Sequence, residues 1–270
     1  MYNNTFNVND YFTVNFGLGD RPATAKMKVG MIVGGAILAV FGIIMLAVLV
    51  KFSAIAAVII GIVFLGIAAL LITLAVVKFV KAKGRVKEWE DAYNYRYTHW
   101  DEELEAFYEK TLEEMNLKQA GMNKIGIDEA LLEEAGVAPF SIHGQLYEGW
   151  YRFGADGEIR TDDRQVTWLF FSKDQIYVYD ITFSLTGRKK KVENTQEFFY
   201  TDIVSVSTGS VSKALPSSNS AGGGNAETIE AEEFRLVVPG DKISFAFTSN
   251  ETITRSIQAM KNTIREKKNG

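Results

Sequence analysis

The chain has 270 residues, of which 47% are hydrophobic and 23% charged, and its formal net charge is -4. The absence of cysteine excludes disulfide bonds, thiolate nucleophiles and cysteine-ligated zinc, and only two histidines remain for imidazole chemistry. Its mean hydropathy of zero is typical of a soluble globular protein, but this average hides two long apolar runs.

The first 28 residues form a polar-rich segment, which we expect to be cytoplasmic. Within it, Phe12, Val14 and Phe16 alternate with polar residues, as the side chains of a short strand would. Three interpretations stay open: an apolar peptide that docks on a partner, a tail ordered against the C-terminal domain, or a disordered tail carrying a few aromatic residues.

Two apolar runs follow at residues 29–50 and 54–80, with only Lys51, Phe52 and Ser53 between them. At about 1.5 Å per residue, each run is longer than the roughly 30 Å hydrocarbon core of a bilayer. The first run is too long for the apolar core of a typical signal peptide, and a second run follows almost at once. The sequence therefore predicts a transmembrane helical hairpin over residues 29–80.

Basic residues flank this hairpin on one side. Three precede the first span and five lie at or after the end of the second, whereas the turn carries only Lys51. The positive-inside rule therefore predicts two spans in the inner (cell) membrane with both termini cytoplasmic. We expect five residues to form a membrane-interface clamp on lipid headgroups: Lys78, Lys81, Lys83, Arg85 and Lys87.

The composition of the spans favours an anchor. Between Val29 and Val77, Lys51 is the only ionisable residue, whereas ion and proton pathways need charges or water within the membrane. Small residues four positions apart let helices approach closely, either within the hairpin or between copies. These pairs are Gly30 and Gly34, Gly35 and Ala39, and Ala57 and Gly61.

Residues 81–141 are predicted to form an amphipathic helical connector. One face is rich in aromatic residues, with a mean step of about 3.6 residues, the period of a straight helix. The candidate partner or packing stripe is Trp89, Tyr93, Tyr97, Trp100, Leu104 and Phe107, extended by Val86, Thr111 and Met115. It could pack on the following domain or the cytoplasmic end of the hairpin, pair with another copy, or lie on the bilayer.

The opposite face of the connector is acidic, and we expect it to be solvated. Its members are Glu88, Glu90, Asp91, Asp101, Glu102, Glu105, Glu109 and Glu113. Glycines then predict an irregular connection over Ala120–Ser141 that contains one short helix, Asp128–Ala135, with Asp128 as its cap.

From residue 142 to 270 the pattern is that of a β-domain, with period-two alternation and β-branched and aromatic residues. The predicted strands are Gln145–Phe153, Gln165–Ser172, Gln175–Ser184, Val192–Tyr200, Ile203–Thr208, Glu233–Val238 and Ile243–Thr248. Residues 209–231 are predicted to be a flexible loop. A terminal helix, Glu251–Lys267, is expected after the cap Asn250, with Ile253, Ile257, Met260 and Ile264 on one face.

Two stretches carry a resemblance to a known family. The strand–turn–strand of residues 169–179 and the sequence of residues 197–207, an aromatic run followed by Asp-Ile-Val-Ser-Val, resemble bacterial pleckstrin-homology-like (PH-like) and GRAM-like domains. The resemblance covers about residues 145–267. It implies an α+β protein whose seven-stranded, partly open β-barrel is capped by the C-terminal helix, often attached to membrane spans.

The strongest binding candidate is the basic loop Arg188, Lys189, Lys190 and Lys191. By the same resemblance it could contact an anionic lipid headgroup or another anion, while a solvated loop that protects a sheet edge is the alternative. Nucleic acid is disfavoured because residues 125–270 carry 21 acidic and 16 basic residues.

No pattern in the sequence indicates catalysis, a cofactor or a metal. His99 and His143 lack a neighbouring nucleophile or ligand set, and the adjacent carboxylates Asp162-Asp163 and Glu232-Glu233 would point to opposite faces of a strand. The sequence predicts a non-enzymatic, membrane-anchored interaction module or assembly subunit with an unidentified protein partner or homo-oligomer. The alternative is an anionic-lipid-responsive module that acts through the loop of residues 188–191.

Overall fold

The computed structural model describes the chain except residues 1, 25, 50, 52–53, 216–227, 248–250 and 270. It divides into two compact units. The hairpin unit contains Met1–Asn4 and Leu18–Arg96, and the β unit contains Thr5–Gly17 and Tyr97–Gly270.

The hairpin unit is built from helix α2, Val29–Leu49, and the first part of helix α3, Ala54–Met115. Both helices are long and apolar enough to cross a membrane. Their large side chains are mostly exposed, including Ile37 at 63% and Ile55 at 77%. The core helix of a soluble protein would bury such side chains. The predicted second span and the predicted connector helix belong to this one continuous α3.

Glycines bring the two helices of the hairpin together. Gly35 lies against Ile72, and Gly42 against Phe64, so the helices run antiparallel. Gly61 lies against Leu46, where an added Cβ would collide with the leucine side chain. Of the predicted small-residue pairs, Gly35 and Gly61 thus close the hairpin on itself, whereas a Cβ at Gly30 or Gly34 would meet nothing within 4 Å. The side chain of Ala57 lies outside the described residues.

In its described residues, the β unit contains seven antiparallel strands in two sheets, the number that was predicted. The strands are β1 Phe140–Phe153, β2 Ile159–Phe171, β3 Gln175–Ser184, β4 Val192–Phe199, β5 Ser205–Ala214, β6 Thr228–Val238 and β7 Asp241–Phe247. The four-stranded sheet has the order β1-β2-β3-β4 and the three-stranded sheet the order β5-β6-β7. Helix α6, Glu251–Asn269, follows them.

One apolar core joins both sheets to α6. Alternate residues of the strands supply Leu169, Val178, Phe234 and Phe245, and α6 contributes Ile257, Met260 and Ile264, three of its predicted apolar positions. The predicted cap Asn250 and the side chain of Ile253 lie outside the described residues. The two sheets approach closely where β1 meets β7. Gly144 permits this approach, because a Cβ at that position would collide with the carbonyl oxygen of Ala246.

Two short helices precede the four-stranded sheet and contact its strands. Helix α4, Leu117–Ile125, and helix α5, Glu129–Ala135, lie where a single helix was predicted. The prediction of an irregular connection is therefore wrong for the residues of α4. Gly121, which suggested a break, is buried inside α4 and lies against the ring of Tyr179. The predicted cap of α5 is confirmed, since Asp128 accepts from Leu131 N at 2.9 Å.

Several strand boundaries differ from the prediction. β1 begins at Phe140, five residues early, and β2 begins at Ile159, six residues early. The register of β1 against β2 shifts between Leu146 and Tyr151, a bulge-like irregularity. The prediction of a flexible loop over residues 209–231 is wrong at both ends, because β5 extends to Ala214 and β6 begins at Thr228. Residues 216–227 of that loop lie outside the described residues.

Candidate functional site

The N-terminal segment of the β unit is folded, but not as the strand its alternation predicted. Helix α1, Val8–Tyr11, begins after Asn7, whose side chain accepts from Asn9 N at 2.9 Å. A 3₁₀ turn over Val14–Gly17 follows, with Phe16 in the left-handed region at φ 53°. These turns bury Phe12 and Phe16 and leave Val14 63% exposed, so the strand prediction is wrong.

Aromatic rings hold this segment to α3. Phe6 lies edge-on to Trp100 at 5.4 Å between ring centroids and 6.0 Å from Phe107. Phe16 meets the other side of the cluster, 5.8 Å from Trp100 and 6.5 Å from Tyr97. Such tilted and edge-on pairs contribute about 0.5–1.5 kcal/mol each beyond the area they bury. Part of the predicted stripe is thus covered by the protein's own N-terminal segment.

Arg152 of β1 fixes the segment from the sheet side. Its Nε donates to the carbonyl oxygen of Tyr11 at 2.6 Å, and its Nη2 donates to the carbonyl oxygen of Thr13. The guanidinium carbon lies 3.7 Å from the ring centroid of Phe16, a cation–π contact. Arg152 is buried, and nothing in the sequence marked it as a contact residue.

Asp101 belongs to the same cluster, although the sequence placed it on the solvated acidic face. It accepts from Tyr11 Oη and from Ala155 N, both at 2.7 Å, and lies 3.8 Å from Arg160 Nη1. Its side chain is only 13% exposed. Burial, followed by the hydrogen bond to Asp101, raises the pKa of Tyr11 above its ordinary range. The prediction of a solvated face is therefore wrong at Asp101.

Within the hairpin unit, the earlier part of the stripe also packs on N-terminal residues. Trp89 forms a small cluster with Leu18 and Ala92, against which Tyr93 packs. The indole nitrogen of Trp89 donates to the carbonyl oxygen of Gly19 at 3.3 Å. The N-terminal segment thus contacts the stripe within each unit, which corresponds to the ordered tail among the three open interpretations.

The basic loop between β3 and β4 is tied to two buried carboxylates. Arg188 Nε lies 3.2 Å from Asp162 Oδ2, and its guanidinium carbon is 3.9 Å from the ring centroid of Trp150. Lys189 forms an ion pair with Asp163. Lys190 and Lys191 are exposed. Half of the predicted anion-binding charge is therefore balanced within the protein.

Asp162 also shapes the loop through uncharged partners. It is fully buried and accepts from Ser184 Oγ, Thr186 N and Thr186 Oγ1, each at 2.8 Å. The neighbouring carboxylate, Asp163, lies against Gly149 in the irregular part of β1, where a Cβ would collide with it. Ion pairing and hydrogen bonding offset the cost of burying these charges. The paired aspartates thus position the basic loop.

The predicted membrane-interface clamp divides into two groups. All five residues are exposed on α3. Lys78, Lys81 and Arg85 line one cavity of the hairpin unit, whereas Lys83 and Lys87 do not line it.

The two histidines are hydrogen-bonded side chains. His99 Nδ1 lies 2.7 Å from Thr98 Oγ1. His143 lies within β1, before the predicted start of that strand at Gln145. Its Nδ1 is 3.0 Å from Tyr108 Oη and its Nε2 is 3.1 Å from Ser141 Oγ. Burial, with a smaller effect of Arg164, lowers the pKa of His143, so the ring is neutral at pH 7.

No protein-family model, curated protein or solved structure matches this chain. Its residues and their geometry are therefore the basis of the functional proposal.

Proposed function

We propose that this chain is a non-enzymatic, membrane-anchored interaction module, a subunit of a larger membrane assembly that holds a PH-like domain in the cytoplasm. The exposed apolar surface of the two long helices carries this proposal. Residues such as Ile37, Ile55 and Ile62 are more than 60% exposed, and water would penalise so large a contiguous apolar surface. A bilayer removes that penalty, and the basic residues that flank the hairpin support an orientation with both termini in the cytoplasm.

The arrangement of the β unit supports the PH-like assignment. A four-stranded and a three-stranded antiparallel sheet share one core with a terminal helix, in the element order that the sequence resemblance implies. The aromatic run of residues 198–200 lies at the end of β4 and just after it. Tyr200 from this run and the nearby Ile203 are both buried in that core.

An exposed edge offers a surface for a partner. Among the described strands, β4 pairs only with β3, and most of its residues are exposed. Phe199 and Val204, on either side of the short 3₁₀ turn after β4, are 55% and 62% exposed. Unpaired strand edges and exposed apolar side chains are features of interaction surfaces.

Photo-crosslinking in native membranes tests this function. A photoreactive amino acid in place of Phe199 should give a discrete adduct, either with a second copy or with one defined protein. The same amino acid in place of Lys110, an exposed residue of α3, is the control and should give none. The detergent-purified protein should correspondingly elute as an oligomer or with that partner. A monodisperse monomer with no adduct at Phe199 would contradict the proposal.

The alternative, a lipid-responsive module acting through the basic loop, has narrower support. Arg188 and Lys189 are engaged by Asp162 and Asp163, so Lys190 and Lys191 are the exposed charges left to attract an anionic surface. Exchanging Lys190 and Lys191 for Ser in the full chain should reduce its binding to anionic liposomes if this function operates. Unchanged binding would exclude it.

A further inference from the structure

We propose that the hairpin unit contains a binding site for the phosphate-bearing headgroup of an anionic phospholipid. The site is a cavity of about 700 Å³ formed by the residues just before α2 and by α3 at the end of the second apolar run. This inference rests on the proposed insertion of the hairpin in a membrane. It concerns a different site from the basic loop of the β unit.

Five cations surround the cavity. Lys26 and Lys28 come from the segment before α2, whereas three come from α3; these are Lys78, Lys81 and Arg85. None of the five forms an ion pair with another residue in the described part of the chain. Glu88 is the one acidic residue in the lining. The cavity therefore has an excess of positive charge that a bound anion would balance.

The chemistry of these cations suits a phosphate group. A guanidinium can donate two parallel hydrogen bonds to phosphate oxygens, and lysine ammonium groups add point charges from other directions. Lys26 and Lys28 are separated from Lys78 by both apolar helices in sequence, yet they line the same cavity. An anion held between the two chain segments would relieve the repulsion among their charges.

The remaining wall favours a lipid over free phosphate. Ala75, Phe79 and Ala82 give the cavity an apolar side, and Ala75 lies within the second predicted span. In a membrane this part of α3 would lie at the headgroup level, where a phospholipid presents phosphate beside apolar chain. Free phosphate has no group that would use the apolar wall.

The helix itself provides a matched control for the site. Lys81 and Arg85 line the cavity, whereas Lys83 and Lys87 are shifted by two residues, about 200° around the helix. All four side chains are exposed and are four residues apart within each pair. The two pairs therefore have the same charge and nearly the same depth, but only one borders the cavity.

Lipid titration of the delipidated full-length protein in a neutral detergent tests the site, with binding read by native mass spectrometry. Wild type should bind phosphatidylglycerol about tenfold more tightly than phosphatidylcholine. Each charge near the headgroups contributes roughly fivefold, so the double variant Lys81→Gln/Arg85→Gln should lose about 25-fold of its phosphatidylglycerol affinity. Lys83 and Lys87 do not line the cavity, and a neutral detergent offers them no anionic bilayer surface, so the double variant Lys83→Gln/Lys87→Gln should lose less than about twofold.

Equal losses in both double variants would overturn the proposal, because they would show diffuse surface charge in place of a site. So would equal affinity for the two lipids, or displacement of phosphatidylglycerol by an equal concentration of inorganic phosphate. If Lys81→Gln/Arg85→Gln fails to fold, Lys26→Gln/Lys28→Gln, outside the helices, should show the same loss. A monomer without a crosslinked partner that still binds phosphatidylglycerol would contradict only the proposed interaction function.

Discussion

Asp180 is a buried carboxylate in β3 whose hydrogen bonds do not require its charge. Gln165 Nε2 donates to its Oδ1 at 2.9 Å, and Thr167 Oγ1 donates to the same oxygen at 2.6 Å. Gln165 Oε1 in turn accepts from Ala246 N of β7 at 3.1 Å, which connects the two sheets. Burial raises the pKa of Asp180 above its ordinary value, although these two hydrogen bonds oppose the shift.

Asp180→Asn should therefore stabilise the protein at neutral pH. The asparagine carbonyl oxygen can accept both bonds, and the buried charge is removed. Since the folded pKa is raised, wild-type stability is full below the ordinary carboxyl value and falls as pH rises through the folded pKa. We expect the thermal midpoint of the variant to be a few degrees higher at pH 7. The difference should shrink below about pH 4. A variant less stable than wild type at pH 7 would contradict this account.

The residues that hold the basic loop and the N-terminal segment in place were not equally predictable from the sequence. Asp162 and Asp163, charges within a strand, could have suggested buried ion pairs, and the basic loop was their available counterpart. Arg152 and Asp101 gave no such signal, because each looked like an ordinary surface charge. Their partners are backbone and side-chain groups of the N-terminal segment, more than eighty residues away in sequence.

At the scale of elements, strands with regular alternation were predictable and elements stabilised by distant contacts were not. β3 has the predicted bounds, Gln175–Ser184. α4 was missed because Gly121 suggests a break in a single sequence, whereas in the structure the Tyr179 ring takes the space that a side chain would need. The N-terminal turns were mistaken for a strand because alternation in a short segment does not distinguish a strand from tight turns.

Residues 5–17 should detach from the rest of the β unit when Arg152 is exchanged for Gln. The variant removes the charged donor to the carbonyl oxygens of Tyr11 and Thr13 and the cation–π contact with Phe16. Loss of these contacts should cost about 2 kcal/mol of docking free energy. Amide hydrogen exchange in residues 5–17 should accelerate accordingly.

Lys110→Gln, on an exposed part of α3, is the control and should leave that exchange unchanged. Equal protection of residues 5–17 in wild type and Arg152→Gln would show that the arginine does not hold the segment. Acceleration throughout the β unit would instead show that Arg152 supports the whole fold.

For the whole molecule, the zero mean hydropathy is the sum of two different units. The hairpin unit exposes apolar side chains along two long helices, while the β unit buries one core between its sheets and α6. The two apolar runs could be predicted as spans from their length alone. The pairing of side chains across the two sheets could not be predicted, because it depends on contacts between residues far apart in sequence.

The proposed two-span anchor with its β unit in the cytoplasm can be tested directly by labelling, because the chain has no cysteine. Lys51→Cys, at an exposed position between the two apolar runs, and Lys190→Cys, in the basic loop, give single thiols for a membrane-impermeant maleimide. In intact spheroplasts we expect Lys51→Cys to be labelled and Lys190→Cys to be labelled only after permeabilisation. Labelling of Lys190→Cys in intact spheroplasts, or recovery of the protein without the membranes, would contradict the claim.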